Sequence, residues 1–301
     1  MKVIIIGLGT QGNKRKKYLG KDFVASVDPF KKQAKYKDIK DVPLKDYDTA
    51  LICVPEEKKI NLIKFCIKNK KNILVEKPLI SKKVDEIRKI ERLAVKNKIF
   101  IYTAYNHRFE PHFVKIKNLI SSKKLGKIYS CRIFYGNGTA RLSKLSNWRD
   151  RGLGVVTDIG SHLLDTCLFW FGNNIKDFKI VSSNKFENKS LDHAVLLSKK
   201  NLPRIELEMT LCMWKNHFTC DILGSKGSAH VSSLCKWGPS IFTFRKRVLP
   251  SGKPKENKIT LIKKDPTWNF EYKFFKKKVN SKTRTSLKRD VWIQKQFNKI
   301  F

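Results

Sequence analysis

The chain has 301 residues, a length that predicts two domains, since single domains commonly hold roughly 100 to 200 residues. Hydrophobic residues make up 41% of the chain and aromatic residues 11%, a composition that excludes the class of intrinsically disordered chains. The formal net charge is +39, but Lys greatly outnumbers Arg and the basic residues lie in short clusters along the whole chain, so a specific nucleic-acid partner is not expected.

The first third of the chain alternates short β-branched runs with longer helical patterns. Helices are predicted after the first strand, over INLIKFCIKN and over KKVDEIRKIERLAVKN, and strands are predicted at KVIIIG, FVASVD, TALICVP, NILVEKP and IFIYTAYN. Apolar strands that alternate with helices indicate βαβ units and a parallel sheet covered on both faces. We therefore predict an α/β fold that begins with a doubly wound Rossmann domain over residues 1–115.

The rest of the chain indicates a different architecture. One amphipathic helix, DIGSHLLDTCLFWF, stops at Gly172, and successive strands are predicted at KIYSCRIFYG, HAVLLSKK, RIELEMTLCMW, HFTCDILGS, SAHVSSL and SIFTFRKRV. This order predicts an α+β second domain over residues 116–301, with a mainly antiparallel open sheet. A further helix over about residues 283–301 is a candidate to pack back on the first domain.

Three glycines follow the first predicted strand at the spacing of a dinucleotide-binding turn. Gly7, Gly9 and Gly12 form G-x-G-x-x-G between that strand and the next helix, which is the context the motif requires. In this motif the first glycine allows the tight turn, the second lets the backbone approach a pyrophosphate, and the third lets helix and strand pack closely. The sequence therefore predicts a dinucleotide site at this turn.

Asp28, at the end of the second predicted strand, indicates which dinucleotide is bound. A carboxylate there would accept a hydrogen bond from a ribose 2′-hydroxyl and repel a 2′-phosphate, so NAD is the expected cofactor. NADP is the alternative, because Lys31 and Lys32 would soften that repulsion. The basic run over residues 14–17 is interpreted either as solvated side chains or as a long-range attraction for an anionic cofactor.

Three later stretches carry residues suited to catalysis: VEKPL (75–79), YNHRFEP (105–111) and GLGVVTDIGSHLLD (152–165). Together with the glycine turn and CDILGSKGSAHV (220–231), they resemble the glucose-fructose oxidoreductase / inositol dehydrogenase / MocA (Gfo/Idh/MocA) family of nicotinamide-dependent oxidoreductases. The resemblance covers nearly the whole chain, and E-K-P followed at a distance by D-x-x-x-H is its most specific part.

Physical chemistry gives several of these residues roles independently of the resemblance. Oxidising a secondary alcohol requires a proton acceptor and a positive group beside the developing alkoxide. Lys77 lies at the carboxyl end of a predicted parallel strand, where ligands bind in such sheets. Asp158, His162 and Asp165 have the helical spacing i, i+4 and i+7, which places them on one face and fits a proton relay. The alternative is a set of ordinary helix-surface residues.

The resemblance implies that His162 is the general acid/base, that Lys77 contacts the reacting hydroxyl and that Asp158 binds the substrate. We expect Lys77 and His162 to face each other across the nicotinamide. The predicted catalytic residues are Lys77, His162 and Asp158. The predicted cofactor-binding residues are Gly7, Gly9, Gly12, Asp28 and Glu76. The predicted substrate-binding residues are Asn106, Arg108, Asp158 and Asp165.

The sequence also departs from the family pattern. Where the family commonly has T-P-N-x-x-H after the third strand, this chain has V-P-E-E-K-K, with Glu56 and Lys59 in place of Asn and His. We expect this departure to bear on cofactor affinity more than on the chemistry. No metal is expected, because the other histidines lack metal-like spacing and are interpreted as ordinary surface or core residues, namely His107, His112, His193, His217 and His230.

These patterns favour an NAD-dependent dehydrogenase or reductase that acts on a sugar, a cyclitol or a sugar derivative such as a sugar nucleotide. The alternatives are a non-catalytic cofactor-binding sensor or scaffold with the same fold, and a nucleic-acid binder. Seven dispersed cysteines without a C-x-x-C pair argue against a disulfide framework, and no signal peptide or membrane span is apparent. We therefore expect a cytoplasmic protein, without a membrane partner, that forms a homo-oligomer.

Overall fold

The computed structural model describes residues 1–146, 148–172, 175, 177–199 and 202–300, which leaves Lys200 and Phe301, the last residues of two predicted elements, outside the described residues. The chain forms two compact units, one of Met1–Asn106 with Trp268–Lys295, and one of His107–Thr267 with the chain from Gln296 onward. Compact units and family domains need not share limits, so the domain limits at residues 115 and 116 remain a prediction.

The first unit contains a five-stranded sheet with the order β2-β1-β3-β4-β5, in which every neighbouring pair of strands is parallel. The sheet confirms the predicted Rossmann-like α/β architecture. The strand order reverses between β1 and β3, which is where ligands bind in open parallel sheets. The strands are β1 Val3–Ile6, β2 Phe23–Val27, β3 Thr49–Ile52, β4 Asn72–Glu76 and β5 Ile101–Ala104.

The helices of the two units follow amphipathic patterns. In the helix at Val84–Lys96, for example, Ile87, Ile90 and Ala94 recur at helical spacing and are buried. None of the described helices is both long enough and apolar enough to cross a membrane. In chain order the helices are α1 Thr10–Lys16, α2 Glu56–Lys68, α3 Val84–Lys96, α4 Pro111–Ser121, α5 Ala140–Lys144, α6 Ser161–Phe171, α7 Thr267–Asn280 and α8 Lys288–Ile300.

Alternate residues of the parallel strands supply two separate cores. Ile4 and Ile6 belong to a cluster that includes buried residues of α2 and α3, whereas Val3 and Ile5 belong to a second cluster with residues of α7. Successive side chains of a strand point to opposite faces of a sheet, so both faces are covered. The second face is covered by α7, which lies more than 200 residues after β1 in the chain.

An ion pair joins α7 to α1 in the same unit. The Arg15 guanidinium donates to the Glu271 carboxylate at 2.9 Å, and both side chains are almost fully buried. Burial raises the pKa of Glu271 to about 7, even though the positive charge of Arg15 acts in the opposite direction. The basic run over residues 14–17 is therefore not uniformly solvated, since Arg15 points into the protein.

The second unit contains an eight-stranded sheet with the order β13-β12-β11-β10-β6-β9-β8-β7. Within the described residues, the neighbouring strands are antiparallel except for β6 and β9, which are parallel. The sheet confirms the mainly antiparallel prediction. The strands are β6 Ile128–Gly136, β7 Phe178–Asn184, β8 His193–Ser198, β9 Arg204–Thr210, β10 His217–Gly224, β11 Gly227–Ser232, β12 Ser240–Lys246 and β13 Glu256–Leu261.

The sequence did not predict β7 and β13, which are the two edge strands of this sheet. Most residues of both strands are exposed or half-buried. A strand that buries few side chains lacks the alternation of apolar and polar residues by which strands are predicted. These two strands are therefore identified only by their pairing with β8 and β12 in the structure.

We expect Phe275→Ala to lower the free energy of unfolding by about 3 to 5 kcal/mol, because it leaves a cavity in the core between α7 and the sheet. Phe275 is fully buried, and its ring lies 5.8 Å from that of Phe100. Urea denaturation measures the effect. The matched control is Phe270→Ala on the same helix, where the side chain is 42% exposed and the expected loss is below about 1 kcal/mol. Equal losses in the two variants would contradict the packing described here.

Glu271 predicts a pH-dependent stability. Its pKa rises from the ordinary 4.5 to about 7 on folding, so the native state binds more protons than the unfolded state between these values, and stability falls as pH rises through 7. Between about pH 5 and pH 8 the wild type should lose roughly 2 to 3 kcal/mol of its free energy of unfolding through this group, and Glu271→Gln should not show that loss. Denaturation across this pH range measures it, and Glu57→Gln, at an exposed position, should leave the slope unchanged.

Candidate active site

The glycine turn after β1 has the geometry expected of a dinucleotide-binding turn. Gly7 has a φ of +93°, and a side-chain Cβ there would lie 2.5 Å from the carbonyl oxygen of Cys53. A Cβ at Gly12 would overlap the carbonyl oxygen of Gly7. At Gly9, in contrast, a Cβ would meet no atom within 4 Å. Two of the glycines are therefore required by packing, and the third leaves open space beside the backbone.

Asp28 connects the end of β2 to this turn. Its carboxylate accepts hydrogen bonds from the backbone N–H groups of Leu8 at 2.7 Å, Phe30 at 2.9 Å and Lys31 at 3.0 Å. Burial alone would raise the pKa of Asp28, but these three donors hold it below its ordinary value. The carboxylate is therefore anionic at neutral pH and holds the glycine turn in place. The predicted contact with a ribose remains a prediction.

Glu76, the last residue of β4, is engaged by a charged side chain of the first helix. Arg15 donates its Nε–H to the Glu76 carboxylate, in addition to its ion pair with Glu271. The guanidinium also lies 4.7 Å from the centre of the Trp268 ring. One buried cation thus joins α1, the end of β4 and α7. Sequence reasoning missed Arg15, because the residue lies within a run of exposed lysines.

Lys77 follows directly after β4, and its backbone is held by Lys59, which the sequence analysis noted only as a departure from the family pattern. The Lys59 ammonium donates to the carbonyl oxygens of Pro78 at 2.9 Å and Lys77 at 3.3 Å, and it lies 3.6 Å from the Glu56 carboxylate. Lys59 is only 1% exposed, and burial lowers its pKa. The departure from the family pattern at Glu56 and Lys59 therefore lies against the E-K-P motif.

His162 lies in the first turn of α6, and the residues before it do not follow α-helical spacing. Residues Val156–Gly160 form a π-helical turn, which contains Asp158. A π-helical turn holds an extra residue, so the spacing from Asp158 to His162 is not that of a regular α-helix, and the predicted column of Asp158, His162 and Asp165 stays a prediction. Asp158 accepts a hydrogen bond at 3.0 Å from Arg149. His162 and Asp165 both lie on α6.

His162 stacks on a histidine that the sequence analysis interpreted as ordinary. The imidazoles of His107 and His162 are nearly parallel, with ring centres 4.0 Å apart. His107 also stacks on Tyr135 of β6, with ring centres 5.7 Å apart. His107 is buried, and Phe113 contacts it edge-on. The ring of His162 is therefore held against a rigid aromatic surface.

The predicted substrate-binding residues Arg108 and Asp165 contact each other. Two nitrogens of the Arg108 guanidinium donate to the two oxygens of the Asp165 carboxylate, each at 2.7 Å. Asp165 is 1% exposed, whereas the guanidinium of Arg108 is partly accessible. This bidentate pair attaches the chain at Arg108 to α6 within the second unit. Asn106 itself is buried, and it belongs to the first compact unit.

Comparison with known protein families covers most of the chain. Residues 1–105 match the model described as "Oxidoreductase family, NAD-binding Rossmann fold". Residues 113–230 match the model described as "GFO/IDH/MocA C-terminal domain". The two matches follow each other along one chain in the order in which the two domains were predicted.

Curated relatives and solved structures agree with these matches. The uncharacterized oxidoreductase YrbE of Bacillus subtilis is 26% identical over 204 residues, 64% of this chain and 57% of that protein. The myo-inositol 2-dehydrogenase of Thermotoga maritima is 31% identical over 130 residues, 43% of this chain and 38% of that protein. These two alignments thus span at most little more than half of the relative's length. Levoglucosan dehydrogenase, solved with NADH and levoglucosan, has the same fold, with a TM-score of 0.85 at 18% identity over 100% of this chain and 96% of that one.

The glycine turn, the anionic Asp28 beside it and the two consecutive family matches lead to one assignment. The chain belongs to the Gfo/Idh/MocA family of oxidoreductases, and its first 105 residues form an NAD-binding Rossmann domain.

Proposed function

We propose that the protein is an NAD-dependent dehydrogenase or reductase that acts on a secondary alcohol or ketone of a sugar, a cyclitol or a sugar derivative such as a sugar nucleotide. The observation that carries the proposal is the buried Lys59 ammonium, which holds the backbone of Lys77 and Pro78 at the carboxyl end of β4. A lysine held at this edge of an NAD-binding sheet is suited to act on a substrate beside the cofactor. Relatives named as inositol dehydrogenases support the substrate class.

The residues present fit a bound dinucleotide. The space beside Gly9 would admit a pyrophosphate against the backbone, while Gly7 and Gly12 shape the turn. The anionic Asp28 favours a ribose with a free 2′-hydroxyl, hence NAD. We assign Glu76 a positioning role in cofactor binding, because its carboxylate is engaged by Arg15.

In the proposed reaction His162 takes the proton of the substrate hydroxyl during oxidation and returns it during reduction. Lys77 places positive charge beside the oxygen that becomes an alkoxide. Bound NAD would supply the redox chemistry by exchanging a hydride with the reacting carbon. Asp158 orients substrate hydroxyls, and its contact with Arg149 holds its carboxylate. The pair of Arg108 and Asp165 holds the segment beside His162.

Turnover with NAD and a panel of cyclitols, free sugars and sugar nucleotides tests the proposed function. We expect NADH formation, followed by absorbance at the reduced nicotinamide band, with at least one member of the panel. His162→Ala should lower kcat by about 100-fold or more, since it removes the general base. The dissociation constant for NADH, measured by fluorescence titration, should stay within about twofold.

The control is His217→Ala, at an exposed position of β10, which should retain both activity and NADH binding. Binding of NADH without turnover of any member of the panel would favour the alternative, a cofactor-binding sensor. Loss of turnover and of NADH binding together in His162→Ala would contradict the proposed division of roles.

Lys59→Met should lower kcat by about tenfold or more, because two backbone carbonyls beside Lys77 lose their charged donor. The dissociation constant for NADH should change little, so that the loss appears in kcat, which differs from the effect on cofactor affinity that the sequence alone suggested. Lys59→Arg keeps a charged donor and should recover part of the activity. Lys58→Met, at the exposed neighbouring position, is the matched control and should behave as wild type. Equal kcat values for Lys59→Met and wild type would exclude the positioning role.

A further inference from the structure

The second unit places two imidazoles against each other at the start of α6. The rings of His107 and His162 are stacked, with an angle of 16° between their planes and ring centres 4.0 Å apart. His162 is half-buried, whereas His107 is only 2% exposed. Both residues belong to the second unit, so the contact lies within one compact body. The proposed acid/base therefore has a second titratable ring directly against it.

The surroundings of His107 disfavour a positive charge on its ring. The Phe113 ring lies edge-on to it and the Tyr135 ring stacks on it, with ring centres 6.1 Å and 5.7 Å away, so aromatic rings take the place of water. The Lys236 ammonium, which donates to the Tyr135 hydroxyl at 2.9 Å, adds a positive charge nearby. Burial disfavours the protonated form of an imidazole, and a neighbouring cation acts in the same direction.

The short distance between the two imidazoles limits the pair to one proton. Two positive charges 4.0 Å apart repel each other strongly, and the more accessible of two coupled groups carries a charge at the lower cost. The proton is therefore bound by His162, and His107 presents a neutral ring to it. The face of a neutral aromatic ring attracts a cation. His107 is thus suited to stabilise the imidazolium that His162 becomes when it takes up a proton.

Other charged groups also act on His162. In the turn before α6, Asp158 accepts a hydrogen bond from Arg149, and on α6 Asp165 pairs with Arg108. The elements α4 and β9 pack against α6 and this turn. Of these, α4 carries His112, Lys115 and Lys117, with Glu110 directly before it, and β9 carries Arg204, Glu206 and Glu208. All of these groups stay in place when His107 is replaced, so a change in the protonation of His162 then reports the loss of the stack.

We propose that His107 is a positioning residue for the acid/base, and that its neutral ring stabilises the protonated form of His162. The inference rests on the proposed function, since His162 is the acid/base of that reaction. During oxidation the proton leaves the substrate hydroxyl and is bound by a ring nitrogen of His162, while His107 neither gains nor loses a proton. The stack thereby makes His162 a stronger proton acceptor and holds its ring in one orientation.

Histidine side-chain NMR tests the proposal without any substrate. The chain has six histidines, whose ring signals are followed through a pH titration and assigned by replacing one histidine at a time. We expect His162 to titrate in the wild type and His107 to stay neutral between about pH 5 and pH 8. In His107→Leu, which removes the aromatic face, the titration midpoint of His162 should fall by about half to one pH unit.

Two further variants control this measurement. His107→Phe keeps an aromatic face without a titratable nitrogen and should keep the midpoint of His162 within about 0.3 pH unit of the wild type. In His112→Leu a histidine that is also buried, and that stacks on Phe242 instead, is lost, and the midpoint should not change. An unchanged midpoint in His107→Leu, an equal fall in either control, or titration of His107 in this pH range would overturn the proposal.

The pH profile of turnover separates this proposal from the proposed function. Oxidation requires neutral His162, so kcat/KM falls below its titration midpoint. In His107→Leu this fall should move to lower pH by the same half to one pH unit, and kcat on the plateau should drop by about threefold or more, because a weaker base accepts the proton. A lower kcat with an unmoved profile would indicate a structural role and overturn the proposal. A shifted NMR midpoint without turnover of any sugar would support the stack and contradict the proposed function alone.

Discussion

The first unit depends on one buried cation, Arg15, which ion-pairs with both Glu76 and Glu271. Taking charges out of water costs several kcal/mol each unless partners compensate, so each of these groups constrains the others. The three residues lie on the helix after the glycine turn, at the end of the strand before Lys77, and on the helix that covers one face of the sheet. The cofactor turn and the E-K-P motif are thus fixed to the same packed element.

Rings and paired charges order the second unit around His162. His107 and Tyr135 provide the stacking surface, and the bidentate pair of Arg108 and Asp165 attaches the neighbouring segment to α6. The π-helical turn before α6 packs closely on β9, where a Cβ at Gly160 would come within 2.9 Å of the Met209 sulfur. The imidazole is thus placed by a combination of packing and ion pairing, each supplied by a different element.

Several of the important residues could not have been found from local sequence. Lys59 contacts carbonyls 18 and 19 residues away, and Arg15 and Glu271 are 256 residues apart. In the sequence, Arg15 and Lys59 each stand beside lysines that remain exposed, and nothing local distinguishes the buried residue from its neighbours. His107 has no motif of its own, because stacking on another imidazole requires no particular spacing along the chain. The two edge strands escaped prediction for a related reason, since they bury too few side chains to show a pattern.

The sequence by itself determined the features that depend on residues close together along the chain. The apolar runs of buried strands, the spacing of Gly7, Gly9 and Gly12 and the E-K-P motif were sufficient for the fold class and the cofactor turn. Tertiary structure alone decided which charges are buried, which imidazoles stack and where helical spacing is interrupted at Asp158. The physical reason is that burial and pairing depend on distance in space, and a chain of this length brings together residues whose separation in sequence carries no signal.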